Sequence, residues 1–536
     1  MPQLAANQPP PADYYAANLR TLVGHVLTAH SDLLSAPEHR YLRALQLATV
    51  PAQRLYARLL SRSRPWVRID KLRYAEIADP DEAIAELQAA GLVRVNGAAP
   101  ADVLLGLLTQ AERARLFPQL PRATKAVWIR ACVARCADTR IRSVIAGQYP
   151  WIGIADFAHI KLCQLLFFGS EQQDTSTFVL QDLGVLQFES YSLDPGLRMF
   201  SDRASLERYL SLRRLRLLTH RVEEVAGLDR WLSRALWAPA HNRLEVRHRD
   251  RALYRLGYRY EREGALDEAL CCYGRARLPP ARERRVRILE RLGDETGVAA
   301  LLARIADSPR AAEEEDFVHR RQAGSTARGR HRIEQMRIPL QGQGDRSIED
   351  HAAGLLSASG GLVWHLENQF PLGLAGLAYW TVVFAPVAGA FVNPFQFGPL
   401  DLMSEDFCRV RQDELALRQA QLDAPGGLRD VLTRTYRSKA GIANRLVNWS
   451  SFDASVLQAV IDCLPHSQLL DLARYVIANL NRARRGFPDL LVIYGPGQFE
   501  FVEVKGPTDQ LQPGQRIWFE TLDRLGLPAR VLKFHL

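Results

Sequence analysis

The sequence predicts a mainly α-helical, multidomain protein that ends in an α/β domain. Its 536 residues exceed what one hydrophobic core usually organises, at ~150 residues per domain. Most of the chain carries apolar residues at helical spacing. Near the C-terminus, however, two strand-like runs, "DLLVIY" and "FEFVEVK", flank Gly495-Pro496-Gly497 and are followed by an amphipathic stretch, "QLQPGQRIWFETLDRLG", and a closing run, "ARVLKF". That order of hairpin, helix and strand is the α/β expectation.

Residues 1–80 read as an N-terminal helical, DNA-binding region. Arg54, Arg58 and Arg62 recur at helical spacing and share a face, and the basic stripe continues through Arg64, Arg68, Lys71 and Arg73 with Trp66 among them. A basic, aromatic-interleaved surface of that length points to phosphate contacts. Residues 81–145 form short helices; "ADVLLGLLTQAERARLFPQLPRATKAVWIRACVA" reads as two helices around a Pro-rich bend and resembles a SAP module, with Arg122, Lys125 and Arg130 as candidate duplex contacts. Residues 146–225 mix strand and helix patterns and end in the strongly basic "RASLERYLSLRRLRLLTHR". Within 226–335, Leu256, Gly257, Tyr260, Gly264, Ala269, Tyr273 and Ala276 stand as in a tetratricopeptide repeat, so neighbouring helices must stack on it, either as a peptide groove or as a spacer. The charged, Gly-rich stretch 309–347 reads as a linker or exposed loop, and residues 336–536 form the catalytic candidate, helical from about 349 to 482 before the hairpin.

The formal charge of +10 favours polyanionic partners. Only six of the 69 basic residues are lysines, so a lysine placed beside an acid at position 505 is unusual in this chain. No uninterrupted apolar run has the length of a membrane span, since Leu374 to Phe391 is broken by Pro386 and Gly389. The N-terminus lacks the charged start and apolar core of a secretory signal. Seven cysteines without a CxxC pair signal neither a zinc site nor a disulfide framework. These features, with an arginine-heavy bias typical of GC-rich bacteria, lead to the expectation of a cytoplasmic bacterial protein.

The hairpin poses a physical problem. A three-residue loop at 495 to 497 would set Asp489 across from Glu503, whereas a four-residue loop would set Leu490 there instead. With alternating side chains, Phe501, Glu503 and Lys505 share a face. Like charges opposed across a ladder destabilise it, and a hard divalent cation removes that repulsion; a surface ion pair between Glu503 and Lys505 is the plainer reading.

Pro488-Asp489 followed by Glu503-Val504-Lys505 is the PD-(D/E)xK nuclease signature. With "HLENQFPLGLAGLAYW", "FQFGPLDL", "RLVNWSSF" and "GPTDQLQPGQRIW" it resembles the VRR-NUC domain of the Fanconi-anaemia-associated nuclease family, bacterial type. The likeness reaches back through "AQRLYARLLSRSRPWVRIDKLRYAEI" to Tyr14-Tyr15. It implies a restriction-endonuclease-like C-terminal domain whose metal ligands are Glu367, Asp489, Glu503 and the Val504 carbonyl. Lys505 would position the attacking water or steady charge on the phosphate, Gln515 would support the site, and Asp401 would be a cap or supporting group. It further implies one or two Mg²⁺ or Mn²⁺ ions and 5′-flap endonuclease and 5′–3′ exonuclease activity on branched duplex DNA in interstrand crosslink repair, with Tyr15, Arg58 and Arg62 gripping the duplex. Animal members carry a ubiquitin-binding zinc finger, for which this sequence has no Cys/His cluster. A non-catalytic helical-repeat DNA scaffold and a Holliday-junction resolvase are the competing readings.

Overall fold

The structure, a computed structural model, describes residues 14–62, 65–120, 123–170, 187–322, 333–340 and 346–535. Arg64 and Arg122 therefore lie outside the described residues, as does the whole stretch 171–186. Two compact units divide the chain, 1–186 and 187–536.

The first unit opens with helices Tyr14–Ala29, Ala36–Leu47 and Val50–Leu60. Ser35 and Glu38 form a capping box for the second, and the Thr49 hydroxyl caps the third. The basic stripe does not continue as a helix. Trp66–Arg68 is a strand (β1), and it joins β2 (Val93–Val95) and β3 (Trp151–Ile154) in an antiparallel sheet of order β1-β3-β2. This sheet crosses the boundaries expected at 80/81 and 145/146, because strands of three or four residues are stable only when paired with distant segments. Arg68 is buried, its guanidinium taken by Asp70 and Glu112, so it belongs to the packing of this unit and not to an exposed face. The expected helix-bend-helix is three helices, Ala101–Leu105, Gln110–Leu116 and Lys125–Arg135.

The second unit begins with packed helices, including Arg203–Leu218, Arg243–Glu263, Leu266–Arg275 and Ala281–Leu292. Leu256, Tyr260, Ala269, Tyr273 and Ala276 are buried in one core with Leu212, Leu253 and Ile288. Part of the expected linker is ordered. Residues Ala312–Gln322 are helical and bury Phe317 and Val318, while Glu314 accepts from the Arg282 guanidinium at 2.9 Å. Gln335–Pro339 (β4) joins the five-stranded C-terminal sheet. A charge-rich sequence conceals these contacts because only two of its residues, Phe317 and Val318, enter the core, packing with Val286, Leu301 and Ile305.

That sheet runs β4-β8-β7-β6-β5, with β5 at Leu362–His365, β6 at Leu490–Gly495, β7 at Gln498–Lys505 and β8 at Ala529–His535. β4 and β7 lie parallel to β8, and the β5–β6–β7 pairs are antiparallel. β5 interrupts the region expected to be helical from 349 to 482. Alternation along the strands sorts two cores. Leu490, Val492, Val502 and Val504 pack with Ala352 and Leu356 of helix Ile348–Ala358. Leu491, Ile493, Phe499 and Phe501 pack with Phe370, Leu374, Phe487, Trp518 and Leu522. Helix Gln369–Ala378 is buried on nearly every side, and no described helix is long and apolar enough to cross a membrane.

Candidate active site

β6 and β7 pair Leu490 with Val502, Leu491 with Phe501 and Val492 with Glu500, so the next step outward sets Asp489 across from Glu503. The turn reaches this register by a different route from the expected three-residue loop. Gly495 pairs with Gln498, leaving Pro496 and Gly497 at the tip, and the ladder shifts between Ile493 and Gly495, where Tyr494 is the extra residue. Gly497 has φ +73°, a conformation that a Cβ would strain.

Glu503 is 1% exposed. Its Oε1 accepts from the Gln515 amide at 2.5 Å and lies 2.7 Å from Lys505 Nζ; its Oε2 is buried without a partner. Asp489 Oδ2 accepts from the Val504 N–H at 2.8 Å. Burial pushes the Asp489 carboxyl up to about 6, against the pull of the Val504 N–H and Lys505. Burial and then the Asp489 charge push Glu503 up to about 7, although Lys505 opposes both. One ammonium does not offset two desolvated carboxylates and their mutual repulsion. An orphaned carboxylate oxygen with a second carboxylate opposite is a pair of hard oxygen donors of the kind a divalent cation takes. Among the described residues no three His, Cys, Asp or Glu side chains converge into a cage.

Glu367 is exposed and precedes helix Gln369–Ala378; it does not begin that helix. Its φ of +39° is rare for a residue with a side chain. The N–H groups of Leu366 and Glu367 both donate to the Asp489 carbonyl at 3.2 Å, and Asn368 Oδ1 accepts from the Phe487 N–H at 3.1 Å. The Glu367 charge adds to the negative field on both hairpin acids.

Gln515 belongs to helix Pro513–Arg524 and closes a capping box with Gln512. Gly486, at φ +87°, lets this helix approach: a Cβ there would meet the Gly514 carbonyl carbon at 2.9 Å and the Gln515 nitrogen at 3.0 Å. Trp518 Nε1 donates to the Arg485 carbonyl at 3.0 Å, locking the same junction. Sequence reasoning missed Glu349. It lies in the first turn of helix Ile348–Ala358, and its charge also raises Asp489. A helix start dense in acid was the only signal available. Asp401 is remote from this chemistry: it is 3% exposed and takes both Arg411 nitrogens at 2.9 Å and Arg243 at 2.5 Å.

In the first unit the candidate DNA contacts gather on a residue that sequence reasoning did not single out, Glu76. Tyr15 donates to its carboxylate, Arg58 pairs with it at 2.6 Å while stacking 3.9 Å over the Tyr15 ring, and Arg54 donates to its main-chain carbonyl at 2.8 Å. The Tyr15 hydrogen bond leads the effects that hold Glu76 down to about 2. Arg62 donates to the Tyr74 hydroxyl at 2.6 Å and is exposed. Lys125 Nζ donates to the Gly106 carbonyl at 2.7 Å. Of these residues, Arg62 and Lys125 are the ones that present an exposed cation.

A mixed sheet with helices on both faces and an acidic hairpin at one end defines a nuclease domain of the VRR-NUC class, and residues 423–535 match that family, described as the VRR-NUC domain. Residues 13–94 match a second family, the FAN1 HTH domain. The chain is 30% identical to a Fanconi-associated nuclease 1 homolog of Pseudomonas aeruginosa over 559 residues, covering 98% of this chain and 97% of that one. It is 25% identical to human Fanconi-associated nuclease 1, of which it spans 62%. A crystal structure of paFAN1 bound to 5′-flap DNA with a 2-nucleotide flap and a gap superposes with a TM-score of 0.81 at 29% identity, over 99% of this chain and 100% of that one. The chain belongs to the Fanconi-associated nuclease family.

Proposed function

We propose that this protein is a metal-dependent phosphodiesterase that cuts branched duplex DNA at 5′ flaps, trims from 5′ ends, and serves interstrand crosslink repair at the bacterial nucleoid. The observation that carries the chemistry is the Glu503 carboxylate, buried with one oxygen held by Lys505 and Gln515 and the other without a partner. The substrate class draws support from the flap DNA held by the similar paFAN1 structure.

In this reading Asp489, Glu503, the Val504 carbonyl and Glu367 would hold Mg²⁺ or Mn²⁺, and the ion would supply Lewis acidity to a water and to the phosphate. The chain's own groups do the positioning. The Val504 N–H fixes one Asp489 oxygen, Gln515 fixes one Glu503 oxygen, and Lys505 stands beside that carboxylate where it can orient a water or a phosphate oxygen. Cleavage of a labelled 5′-flap duplex with Mn²⁺ or Mg²⁺ tests the proposal, with Asp489→Asn and Glu503→Gln as controls. Loss of product in both variants, with DNA binding retained, is the expected result; product at the unsubstituted protein's rate in either would remove the assigned site.

A further inference from the structure

The parallel register of β7 and β8 sets Glu503 beside Val531 and Lys505 beside Lys533, and β4 adds Arg337 on the other side of Lys533. Residues paired in this way share a face of the sheet at a strand spacing of about 4.8 Å, so three cations stand in a row that begins next to the hairpin acids. Like charges set directly across a ladder destabilise it. The chain holds only six lysines, so two of them side by side are not the by-product of a lysine-rich surface.

Each lysine has its own acceptor. Lys505 Nζ lies 2.7 Å from Glu503 Oε1, whereas Lys533 Nζ donates to the main-chain carbonyl of Asp509, in the turn that follows Lys505. That turn, 506–509, is closed twice: the Asp509 N–H donates to the Gly506 carbonyl at 3.2 Å, and the Gly506 N–H donates to Asp509 Oδ2 at 2.9 Å. It is also packed tightly, since a Cβ at Gly506 would meet Asp509 Oδ2 at 2.9 Å and Ile348 Cδ1 at 3.4 Å. Beyond it the chain runs through Gln512 into helix Pro513–Arg524, whose Gln515 amide holds Glu503. The two groups on Glu503 Oε1, Lys505 and Gln515, therefore stand at either end of one short segment, and Lys533 pins its middle to β8. The Lys533 charge also repels the Lys505 ammonium and opposes its swing toward β8, which leaves Glu503 as its partner.

We propose that Lys533 is a positioning residue for the nuclease reaction: by fastening the 506–509 turn to β8 and turning Lys505 toward the hairpin, it keeps Lys505 and Gln515 on Glu503. This role rests on the reading of the protein as a DNA nuclease with the hairpin as its site. Lys533 acts through its neighbours and not on the substrate, because its ammonium is taken by the Asp509 carbonyl.

The full-length protein is compared with Lys533→Met, Lys533→Arg and, as a neighbour in the same row, Arg337→Gln. On a labelled 5′-flap duplex with Mn²⁺, Lys533→Met should lower kcat by about 10-fold, the lower end of the range for a group that acts on a metal site through its ligands. KM should not change, nor should the affinity for the same duplex in EDTA or its dependence on salt. Lys533→Arg keeps the charge and a donor and should recover most of the lost rate, while Arg337→Gln should leave kcat at the unsubstituted level. Electron paramagnetic resonance of free Mn²⁺ reads the site without turnover: with a cation removed from beside the carboxylates, Lys533→Met should bind Mn²⁺ at least as tightly as the unsubstituted protein. An unchanged kcat in Lys533→Met would overturn the proposal, as would a loss that Lys533→Arg does not recover, or weaker Mn²⁺ binding that accounts for the loss. Weaker duplex binding with a shallower salt dependence would overturn it in favour of a phosphate contact, and a melting temperature lowered enough to explain the lost product would overturn it in favour of a purely structural role. Absence of flap cleavage by the unsubstituted protein would remove the nuclease reading and this role with it, whereas cleavage indifferent to Lys533 removes this role alone.

Discussion

The Asp489 carbonyl accepts the main-chain N–H of Glu367 at 3.2 Å, so the residue that places one acid on the hairpin also fixes the turn bearing another. Three separate stretches of chain, near 367, 489 and 503, thus meet through backbone contacts and not through side chains alone. The φ of +39° at Glu367 is retained in spite of its steric cost. Glu367→Gln should therefore lower flap cleavage by roughly 10–100-fold, the range for a group that tunes a metal site, with an unchanged melting temperature. Glu367→Gly should lose as much activity without losing stability, since glycine accepts that backbone. A clear drop in the melting temperature of the glycine variant would show that the turn is not strained.

The hairpin acids make stability depend on pH in a defined direction. Both carboxyls have native pKa values, about 6 for Asp489 and about 7 for Glu503, above their ordinary range. The native state therefore binds more protons than the unfolded state between about pH 4 and pH 7, and the metal-free protein loses stability as pH rises through that window. Each carboxylate accounts for roughly 3 kcal/mol at full ionisation. In EDTA, Glu503→Gln should melt higher than the unsubstituted protein at pH 8, and this advantage should vanish near pH 4. Mn²⁺ should raise the melting temperature of the unsubstituted protein more at pH 8 than at pH 5.5. A difference between the two proteins that does not change with pH would contradict the burial argument.

Gly486 brings helix Pro513–Arg524 against the segment that leads into Asp489. Gly486→Ala adds a Cβ at a positive φ and against main-chain atoms, and should cost about 1–3 kcal/mol. It should also displace the Gln515 amide from Glu503, so that cleavage falls further than Gln515→Ala alone. Thermal melts and single-turnover rates on the two variants check both statements.

The arginines of the first unit divide by their partners. Arg54 and Arg58 are engaged with Glu76, so alanine at either should lower the melting temperature. Among the described residues, the Arg62 guanidinium holds the Tyr74 hydroxyl. Arg62→Ala should weaken DNA binding alike across sequences and reduce the salt slope by about 1, with the fold intact. Equal losses of stability in all three would place Arg62 in the same structural cluster.

Much of the chemistry was legible because it is local. The residue types around Gly495-Pro496-Gly497, the spacing from Asp489 to Glu503 and the alternation that puts Lys505 beside Glu503 follow from strand period and turn composition, and they hold in the structure. The bulge at Tyr494 was not legible, since loop length alone leaves the register ambiguous by one residue. Nor were β1, β3, β4 and β5, whose short runs gain their hydrogen bonds from segments far away in sequence. The face of an arginine was readable at Arg58, yet its Glu76 partner was not, because an ion pair is decided by distance and burial and not by periodicity. The sequence by itself determined the class of the C-terminal domain, the two acids and the lysine carried by its hairpin, and the basic character of the chain. Tertiary structure alone decided which acids share a field, with Glu349 joining and Asp401 drawn away by Arg411, because electrostatic coupling depends on proximity in a low-dielectric interior, and folding sets that proximity.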